Sequence, residues 1–269
     1  MPKRSTLPIA LTIAGSDSGG GAGIQADLKT FAALGVHGTS AITSITAQNP
    51  RRVIGAQAAG PDLVRRQLEA MFEELPPDAA KTGMLPSAAI VRVVADFFAR
   101  RNRPPFVVDP VMVSTSGARL ISPGAVRSIC DQLLPRAALV TPNLDEASLL
   151  VGRRLVSIDD MRFAAHEIHR RFGCAALVKG GHLKNVREAA DIFYDGHTEL
   201  LLTAPFIKHL RTHGTGCTYS AAITGFLALG QKLPAAVSQA KEFITKAIAR
   251  SQRAAGHPVL NPLSAGKNN

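Results

Sequence analysis

Apolar runs of strand length alternate along the chain with amphipathic segments of helix length. The runs predict strands at residues 9–14, 40–47, 53–58, 79–82, 106–108, 138–140 and 175–178, and a hairpin of 191–194 with 198–203. The amphipathic segments predict helices at residues 24–34, 61–74, 87–101, 123–134, 159–172, 218–229 and 234–255. A strand that is apolar on both faces must be covered by other elements, such as helices, on each face of its sheet. The pattern therefore predicts an α/β fold, with a mostly parallel central sheet and helices on its two faces.

The alternation continues without an internal repeat, a low-complexity tract or a Pro/Gly-rich linker. We therefore predict one domain over residues 1–269, with residues 255–269 as an irregular C-terminal tail. The pattern leads us to expect neither a membrane span, which needs roughly 18 consecutive apolar residues, nor a leader before the first strand. Three cysteines in no metal-binding spacing favour a cytoplasmic chain with reduced thiols.

The chain carries a net charge of +11, from 31 Lys and Arg against 20 Asp and Glu. A surplus of this size is compatible with binding to polyanions or to phosphorylated ligands. The basic residues nevertheless fall in short groups, such as Arg51-Arg52 and Arg170-Arg171, and only 5% of the residues are aromatic. We therefore expect a solvated basic surface and no nucleic-acid partner, because base-stacking platforms need exposed aromatic side chains.

Residues 211–218 read RTHGTGCT and precede an apolar helix. Gly214 and Gly216 let backbone N–H groups point into one space, and a helix that begins there adds its unpaired donors and positive dipole end. The segment therefore predicts an anion site that suits a phosphoryl group in transfer, with Thr215 and Cys217 beside it. It does not have the pattern of a Walker-type loop.

Polar residues and glycines collect just beyond the carboxyl ends of the predicted strands. They are Gly15-Ser16-Asp17, Gln48-Asn49, Thr82-Gly83-Met84, Asp109, Asn143 and Lys179-Gly180-Gly181. Open parallel sheets bind their ligands in the crevice outside that edge. We therefore expect these residues to share one cleft with the anion site.

The segment 15–23 contains five glycines and matches neither the P-loop nor the dinucleotide-binding pattern. So many glycines favour close approach of the backbone to a ligand, with a plain tight turn as the alternative. Asp27, one turn into the next helix, either accepts a hydrogen bond from a substrate or compensates the helix dipole. Lys179 ends an apolar strand and either reaches a phosphate or extends to solvent.

Asn143 and Glu146 are three residues apart and share one face if a helix begins there. With Asp109, they form a set of hard oxygen ligands that suits a hydrated Mg²⁺ carrying nucleotide phosphates. The alternative is a capping box, with Asn143 as the N-cap residue and Glu146 at N3. The residues alone leave both open.

Four further side chains have weaker interpretations. The amide of Gln48 offers a donor and an acceptor to the edge of a heteroaromatic ring, and Met84 offers a soft wall to its face. Taken singly, both are equally well explained as ordinary loop residues. His182 and His213 are acid–base candidates by residue type, with loop histidines as the alternative.

The chain resembles the hydroxymethylpyrimidine/phosphomethylpyrimidine kinase family of thiamine biosynthesis, which belongs to the ribokinase superfamily. The resemblance runs in order from about residue 7 to residue 250, and its most specific segments are GGAGIQAD at 20–27 and HGTGC at 213–217. The other segments are ALTIAGSD at 10–17, TAQN at 46–49, KTGML at 81–85, VDPVM at 108–112, TPNLDEA at 141–147 and VKGGH at 178–182. The chain departs from the family at Ser18-Gly19, where Pro-Ser is common, and over residues 256–262.

The resemblance implies a ribokinase-like fold and ATP-dependent phosphorylation of 4-amino-5-hydroxymethyl-2-methylpyrimidine, and then of its monophosphate to the diphosphate. It implies a pyrimidine pocket lined by Gln48, Asp27, Gly15, Met84, Val111 and Cys217. It implies ATP binding by Lys179, Thr215 and Asn143, with Mg²⁺ organised by Asp109 and Glu146. The family is also commonly homodimeric.

The resemblance leaves one catalytic role and two functions open. Ribokinase-type relatives carry an Asp base at the position of Cys217, so a Cys217 thiolate with a pKa lowered at the helix N-terminus would take the hydroxyl proton. The alternative is that Cys217 only lines the pocket, while Lys179 and the amides of Gly214 and Gly216 stabilise the transferring group. The competing functions are a pyridoxal or pyridoxine kinase of the same fold, and a basic nucleic-acid-binding regulator.

Overall fold

The computed structural model describes residues 6–112, 122–181, 183, 186–207 and 213–266, and a nine-stranded sheet runs through them. The strands are β1 (Ile9–Asp17), β2 (His37–Gln48), β3 (Val53–Ala58), β4 (Ala79–Thr82), β5 (Phe106–Val108), β6 (Leu139–Val140), β7 (Ala175–Lys179), β8 (Glu188–Tyr194) and β9 (Glu199–Pro205). Every predicted strand is therefore present. The predicted hairpin is β8 and β9, and its turn is held by Asp195 Oδ1, which accepts from the N–H groups of His197 and Thr198.

The order of the strands across the sheet is β3-β2-β1-β4-β5-β6-β7-β8-β9. The six strands from β2 to β7 in this order pair in parallel, whereas the pairs at the two margins, β2 with β3, β7 with β8 and β8 with β9, are antiparallel. The carboxyl ends of the six parallel strands consequently meet at one edge, which is where the polar residues of the sequence fall.

Helices cover both faces of the sheet. They are α1 (Gly23–Ala33), α2 (Pro61–Glu74), α3 (Ala88–Phe98), α4 (Pro123–Ser128), α5 (Leu144–Val151), α6 (Ile158–Phe172), α7 (Thr215–Ala228), α8 (Leu233–Ala249) and α9 (Pro262–Gly266). The helices α2 to α6 share one hydrophobic core with Leu11 and Ile13, and the other four share a second core with Ala10 and Val107. The predicted fold class is confirmed. Within the described residues, none of the helices is both long and apolar enough to cross a membrane.

Several predicted boundaries are wrong, each for a local reason. β1 runs three residues further than predicted, because Ser16 and Asp17 continue to pair with β2. The helix predicted at 123–134 is α-helical only to Ser128 and continues as a π turn and a 3₁₀ turn, where Pro135 has no N–H to donate. The short helix α5 was not among the predicted helices, and α7 begins at Thr215 rather than at residue 218.

The irregular tail predicted for residues 255–269 is wrong over the residues that the structure describes. The helix predicted to reach residue 255 ends at Ala249, and β10 (Gln252–Ala254) pairs with β11 (His257–Val259) through a turn at Gly256. The short helix α9 then packs against α1 and α8, with Ala265 buried in the second core. The end of this segment therefore folds back onto α1 and α8. A single domain over 1–269 stays a prediction.

Candidate active site

Asp109 and Lys179, which end β5 and β7, meet at the carboxyl edge of the sheet. Lys179 Nζ lies 3.2 Å from Asp109 Oδ1, and Asp109 Oδ2 accepts a hydrogen bond from Ser220 Oγ of α7 at 3.1 Å. Burial alone would raise the pKa of Asp109, but the attraction of Lys179 and Lys81 and the hydrogen bonds from Lys179 and Ser220 together outweigh it and hold that pKa below its ordinary value. The predicted convergence of these two strand ends is therefore confirmed, and Asp109 is a carboxylate.

Lys179 is fixed by its backbone as well as by its side chain. Its N–H donates to the carbonyl of Pro142 at 2.8 Å, which ties the end of β7 to the segment that leads into α5. Burial would lower the pKa of its ammonium, but Asp109 and Glu146 attract the charge more strongly and the pKa lies above its ordinary value. The side chain is only 13% exposed, so Lys179 presents a largely dehydrated positive charge to the cleft.

Asn143 and Glu146 form the capping box of α5. Asn143 Oδ1 accepts from the N–H of Glu146 at 2.9 Å, and Glu146 Oε2 accepts from the N–H of Asn143 at 2.9 Å. The other oxygen of Glu146 accepts from the N–H of Met112 at 3.4 Å. The capping interpretation is confirmed, and it leaves the ligand roles of both residues untested.

The charge balance around Glu146 fits a bound cation. Burial and the negative charge of Asp109 raise the pKa of Glu146 from 4.5 to about 7, although Lys179 opposes the rise. The Lys179 ammonium thus interacts with two buried carboxylates, Asp109 and Glu146. Among the described residues, no group of three or more His, Cys, Asp or Glu could hold a metal ion. The carboxylates of Asp109 and Glu146 are hard oxygen donors of the kind that suits Mg²⁺, which takes most of its other ligands from water and phosphate.

The raised pKa of Glu146 makes stability depend on pH. Between about pH 4.5 and pH 7 the folded protein keeps a proton on Glu146 that the unfolded chain releases, so the folded state loses stability as the pH rises through that window. Relative to Glu146→Gln, the free energy of unfolding of the wild type is expected to fall by about 2 to 3 kcal/mol from pH 4.5 to pH 7.5. Urea unfolding without divalent cations measures this difference.

The exposed helical Glu69 supplies the control for this titration. Glu69→Gln removes one exposed carboxylate outside the cleft and is unfolded in urea over the same pH range. A difference between the wild type and Glu146→Gln that does not change with pH would show that Glu146 titrates at its ordinary pKa.

The segment predicted to bind an anion leads into α7, and its residues 214–217 are called the anion loop below. Gly214 is the N-cap residue with φ +84, and a Cβ placed on it would stand 1.7 Å from the carbonyl oxygen of Gly21. A Cβ placed on Gly216 would stand 3.2 Å from Lys179 Nζ. The first turn of α7, which includes Thr215, therefore lies against the glycine-rich segment on one side and the Lys179 ammonium on the other.

Cys217 lies in the same first turn, but its pKa is not lowered as predicted. Burial raises the pKa of the thiol to about 12, and the negative charges of Asp27 and Asp109 add to the rise, although Lys81 opposes it. The thiol also accepts a hydrogen bond from the N–H of Gly23. The helix dipole is therefore outweighed by desolvation, and a neutral thiol that lines the cleft replaces the thiolate base as the role we assign to Cys217.

A neutral thiol makes a kinetic prediction. Cys217→Ser is expected to retain the pH dependence of kcat between about pH 6 and pH 9, because no thiolate titrates in that range. The measurement is kcat against pH for the wild type, Cys217→Ser and Cys217→Ala. If the wild type shows a rising limb that both variants lose, the thiolate is the base after all.

Asp27 does not line the cleft as the resemblance implied. It has no exposed surface, and its carboxylate accepts from Thr12 Oγ1 at 2.6 Å and from Lys81 Nζ at 2.8 Å. The helix α1 directs Asp27 inward against β1 and β4, where both its oxygens are already used. Asp27 therefore lies beneath the cleft rather than on its surface.

Lys81 is the residue of this site that sequence reasoning missed. It is fully buried in the central strand β4 and interacts electrostatically with Asp109 and Cys217 as well as with its partner Asp27. Burial would lower the pKa of its ammonium, but the negative charges of Asp27, Cys217 and Asp109 together outweigh it and the pKa lies above its ordinary value. A lysine inside the apolar run at 79–82 was the available signal, because a buried lysine needs a paired carboxylate.

Three of the residues expected to line the pyrimidine pocket lie near the carboxyl ends of β1, β4 and β5. A Cβ placed on Gly15 would stand 2.9 Å from Met84 Cε, so the two residues are in contact distance. Val111 is partly buried, and its N–H donates to the carbonyl of Asp109 at 2.9 Å. Gly15, Met84 and Val111 therefore lie on the same edge as Asp109, although their contact with a substrate stays a prediction.

Gln48 meets His213 across the mouth of the cleft. Gln48 Nε2 lies 2.9 Å from His213 Nε2, which also lies 3.3 Å from Asp17 Oδ2. Asp17 accepts from the N–H groups of Gly19 and Ala22, and these bonds together with His213 outweigh burial and lower its pKa. His213 is thus a loop histidine with defined partners, and it joins Gln48 to the glycine-rich segment.

Three residues that the sequence singled out lie outside the described residues. They are His182, one of the two acid–base candidates, and Arg211 and Thr212, the first residues of the anion segment. Their roles stay predictions.

A family model described as phosphomethylpyrimidine kinase matches residues 17–261. A hydroxymethylpyrimidine/phosphomethylpyrimidine kinase of Rhizobium meliloti is 50% identical over 246 residues, which are 91% of this chain and 92% of that protein. The thiamine biosynthesis bifunctional protein ThiED of Geobacter sulfurreducens is 45% identical over 96% of this chain and 53% of that protein.

A solved structure, the ADP complex of Bacillus subtilis pyridoxal kinase, superimposes with a TM-score of 0.89 and 40% sequence identity, covering 98% of this chain and 100% of that one. The likeness extends over the whole sheet and identifies the fold as ribokinase-like. Since the family model covers most of the chain and the Rhizobium kinase matches it nearly end to end, this protein belongs to the phosphomethylpyrimidine kinase family.

Proposed function

We propose that the protein transfers the γ-phosphoryl group of ATP to the hydroxymethyl group of 4-amino-5-hydroxymethyl-2-methylpyrimidine, and then a second one to the resulting monophosphate, in thiamine biosynthesis. The observation that carries the proposal is the meeting of Lys179, Asp109 and the N-terminus of α7 at one edge of the sheet. The relatives from Rhizobium and Geobacter support the choice of acceptor and pathway.

In the first step the acceptor hydroxyl oxygen bonds to the γ-phosphorus while the bond from phosphorus to the bridging oxygen of ADP breaks. Charge on the transferring group dominates such a loose transition state, so fixed donors and cations do most of the work. The amides of Gly214, Thr215 and Gly216 and the ammonium of Lys179 are the donors we assign to its oxygens. In the second step an oxygen of the monophosphate is the nucleophile.

Asp109 and Glu146 are the residues that would hold Mg²⁺, with Asn143 beside them as the cap of α5. When bound, Mg²⁺ neutralises phosphate charge and orients the nucleotide. Asp109 also keeps the ammonium of Lys179 in place through their 3.2 Å contact. The hydroxyl proton needs no strong base in a loose transition state, and it passes to an oxygen of the transferred phosphoryl group or to water as the new bond to phosphorus forms, which is consistent with the neutral thiol of Cys217.

The acceptor is recognised, in this proposal, by Gln48, Gly15, Met84, Val111 and Cys217. The Gln48 amide supplies a donor and an acceptor for the ring edge, and Met84 supplies a soft apolar surface for the ring face. His213 would orient that amide through the 2.9 Å contact between Nε2 atoms.

Pyridoxal is the second candidate acceptor, favoured by the 40% identity to the pyridoxal kinase of Bacillus subtilis. The test is kcat/KM with saturating ATP for the hydroxymethylpyrimidine, its monophosphate and pyridoxal, measured by ADP release. We expect the kcat/KM of each of the two pyrimidines to exceed that of pyridoxal. A higher kcat/KM for pyridoxal would show that pyridoxal is the acceptor instead. DNA binding without ADP release would favour the alternative function, a basic nucleic-acid-binding regulator.

We further infer that the protein works in the cytoplasm as a homodimer, without a nucleic-acid or membrane partner. The three cysteines, Cys130, Cys174 and Cys217, are all free, as expected for a reducing compartment. The dimer rests on the family alone, and sedimentation equilibrium tests it.

A further inference from the structure

A buried ion pair lies behind the strand end that carries Lys179. Lys241 of α8 donates to Asp191 Oδ2 of β8 at 2.7 Å and to the carbonyl of Ala189 at 3.1 Å, and the two side chains are 10% and 6% exposed. Burying such a pair costs desolvation that its attraction often does not recover, so stability alone is a poor reason for it. The partners of the two side chains indicate what else it does.

The second oxygen of Asp191 holds the turn that follows Lys179. Asp191 Oδ1 accepts from the N–H of Gly180 at 3.0 Å, and the same N–H lies 3.0 Å from the carbonyl of Ala190. Gly180 has no space for a side chain, since a Cβ would stand 2.3 Å from that carbonyl. Asp191 is also the residue directly opposite Lys179 in the ladder of β7 and β8. The carboxylate therefore fixes the backbone at the point where Lys179 leaves the sheet.

The same carboxylate also interacts with α7. Tyr219, two residues beyond Cys217, is 4% exposed, and its hydroxyl lies close to the carboxylate of Asp191. Burial and the charge of Asp191 raise the pKa of this phenol well above its ordinary value. The cluster therefore connects the two elements that bear the Lys179 ammonium and the anion loop.

We propose that Asp191, held by Lys241, is a positioning residue that sets the Lys179–Gly180 strand end for phosphoryl transfer. The proposal rests on the proposed kinase function, because it assigns Lys179 to the transferring group. Lys241 neutralises the buried carboxylate and keeps one of its oxygens turned away, which leaves the other for Gly180. The cluster touches no substrate and acts only through the backbone.

Two double variants separate positioning from packing, since a single substitution would leave one buried charge unpaired. D191L/K241M replaces the pair by apolar side chains and removes the side-chain acceptor of the Gly180 N–H, so that only the carbonyl of Ala190 remains. D191N/K241M removes both charges and keeps an amide oxygen in reach of that N–H. Each variant is measured for melting temperature, for kcat and KM with ATP and pyrimidine, and for hydrogen exchange of the Gly180 amide.

We expect D191L/K241M to lower kcat by about tenfold to a hundredfold, with KM for the pyrimidine unchanged, and to speed exchange at Gly180. D191N/K241M is expected to recover at least tenfold of that loss. Equal kcat in both folded variants, whether high or low, would overturn the proposal. A wild type that phosphorylates no pyrimidine would refute the proposed function instead, while unchanged Gly180 exchange in D191L/K241M would still refute the positioning contact.

Discussion

Replacing Lys179 with methionine is expected to lower kcat by about a hundredfold to a thousandfold, the cost of losing one preorganised charge at a transferring group. Methionine keeps most of the length of the side chain but removes the ammonium that lies 3.2 Å from Asp109. Asp109 is then left as a buried carboxylate without its nearest cation, so KM for ATP is expected to rise as well. Steady-state kinetics with varied ATP separates the two effects.

The matched control is Lys246→Met on α8, which removes an exposed ammonium and is expected to leave kcat and KM unchanged. If Lys179→Met retained more than about a third of the wild-type kcat, Lys179 would have no part in transition-state stabilisation. Melting temperatures of the two variants show whether a loss of activity comes from unfolding.

Replacing Gly214 with alanine is expected to lower kcat/KM by about a hundredfold and the free energy of unfolding by about 2 kcal/mol. The added methyl group would stand 1.7 Å from the carbonyl oxygen of Gly21, and alanine is strained at φ +84. The anion loop and the glycine-rich segment must therefore move apart. Kinetics and urea unfolding of the same variant measure the two effects.

Gly230→Ala is the control for backbone strain. Gly230 has φ +81 but open space around its Cβ position, so the substitution is expected to cost about 1 kcal/mol and to leave kcat/KM unchanged. Equal activity of the Gly214→Ala and Gly230→Ala proteins would show that the close packing of the two loops does not matter for catalysis.

The strand pattern predicted the fold and the meeting of the strand ends that carry Asp109 and Lys179, because parallel strands bring their carboxyl ends to a common edge. Asp109 and Lys179 were expected to meet on that argument, and their side chains do. The start of α7 was misplaced because its N-cap is Gly214 with a positive φ, which lacks the side-chain oxygen that usually marks a helix start.

Other contacts between side chains of different elements could not be predicted from the sequence. Gln48 and His213 are 165 positions apart, and only the folded chain brings their side chains to 2.9 Å. Lys81 was passed over because the strand around it is apolar, and its partner Asp27 was assigned to the surface of the cleft by resemblance. The competition between the helix dipole and burial at Cys217 likewise needed the charges of Asp27 and Asp109 in place.

The central claim is that this cleft phosphorylates a pyrimidine alcohol twice. The most direct measurement is mass spectrometry of the products formed from ATP and 4-amino-5-hydroxymethyl-2-methylpyrimidine over a time course. The account predicts a monophosphate that accumulates first and is then converted to the diphosphate, with about a hundredfold less product, or lower still, from the Lys179→Met protein in the same time. The account would be contradicted if no phosphorylated pyrimidine formed at any time, whether or not pyridoxal is phosphorylated in a parallel reaction.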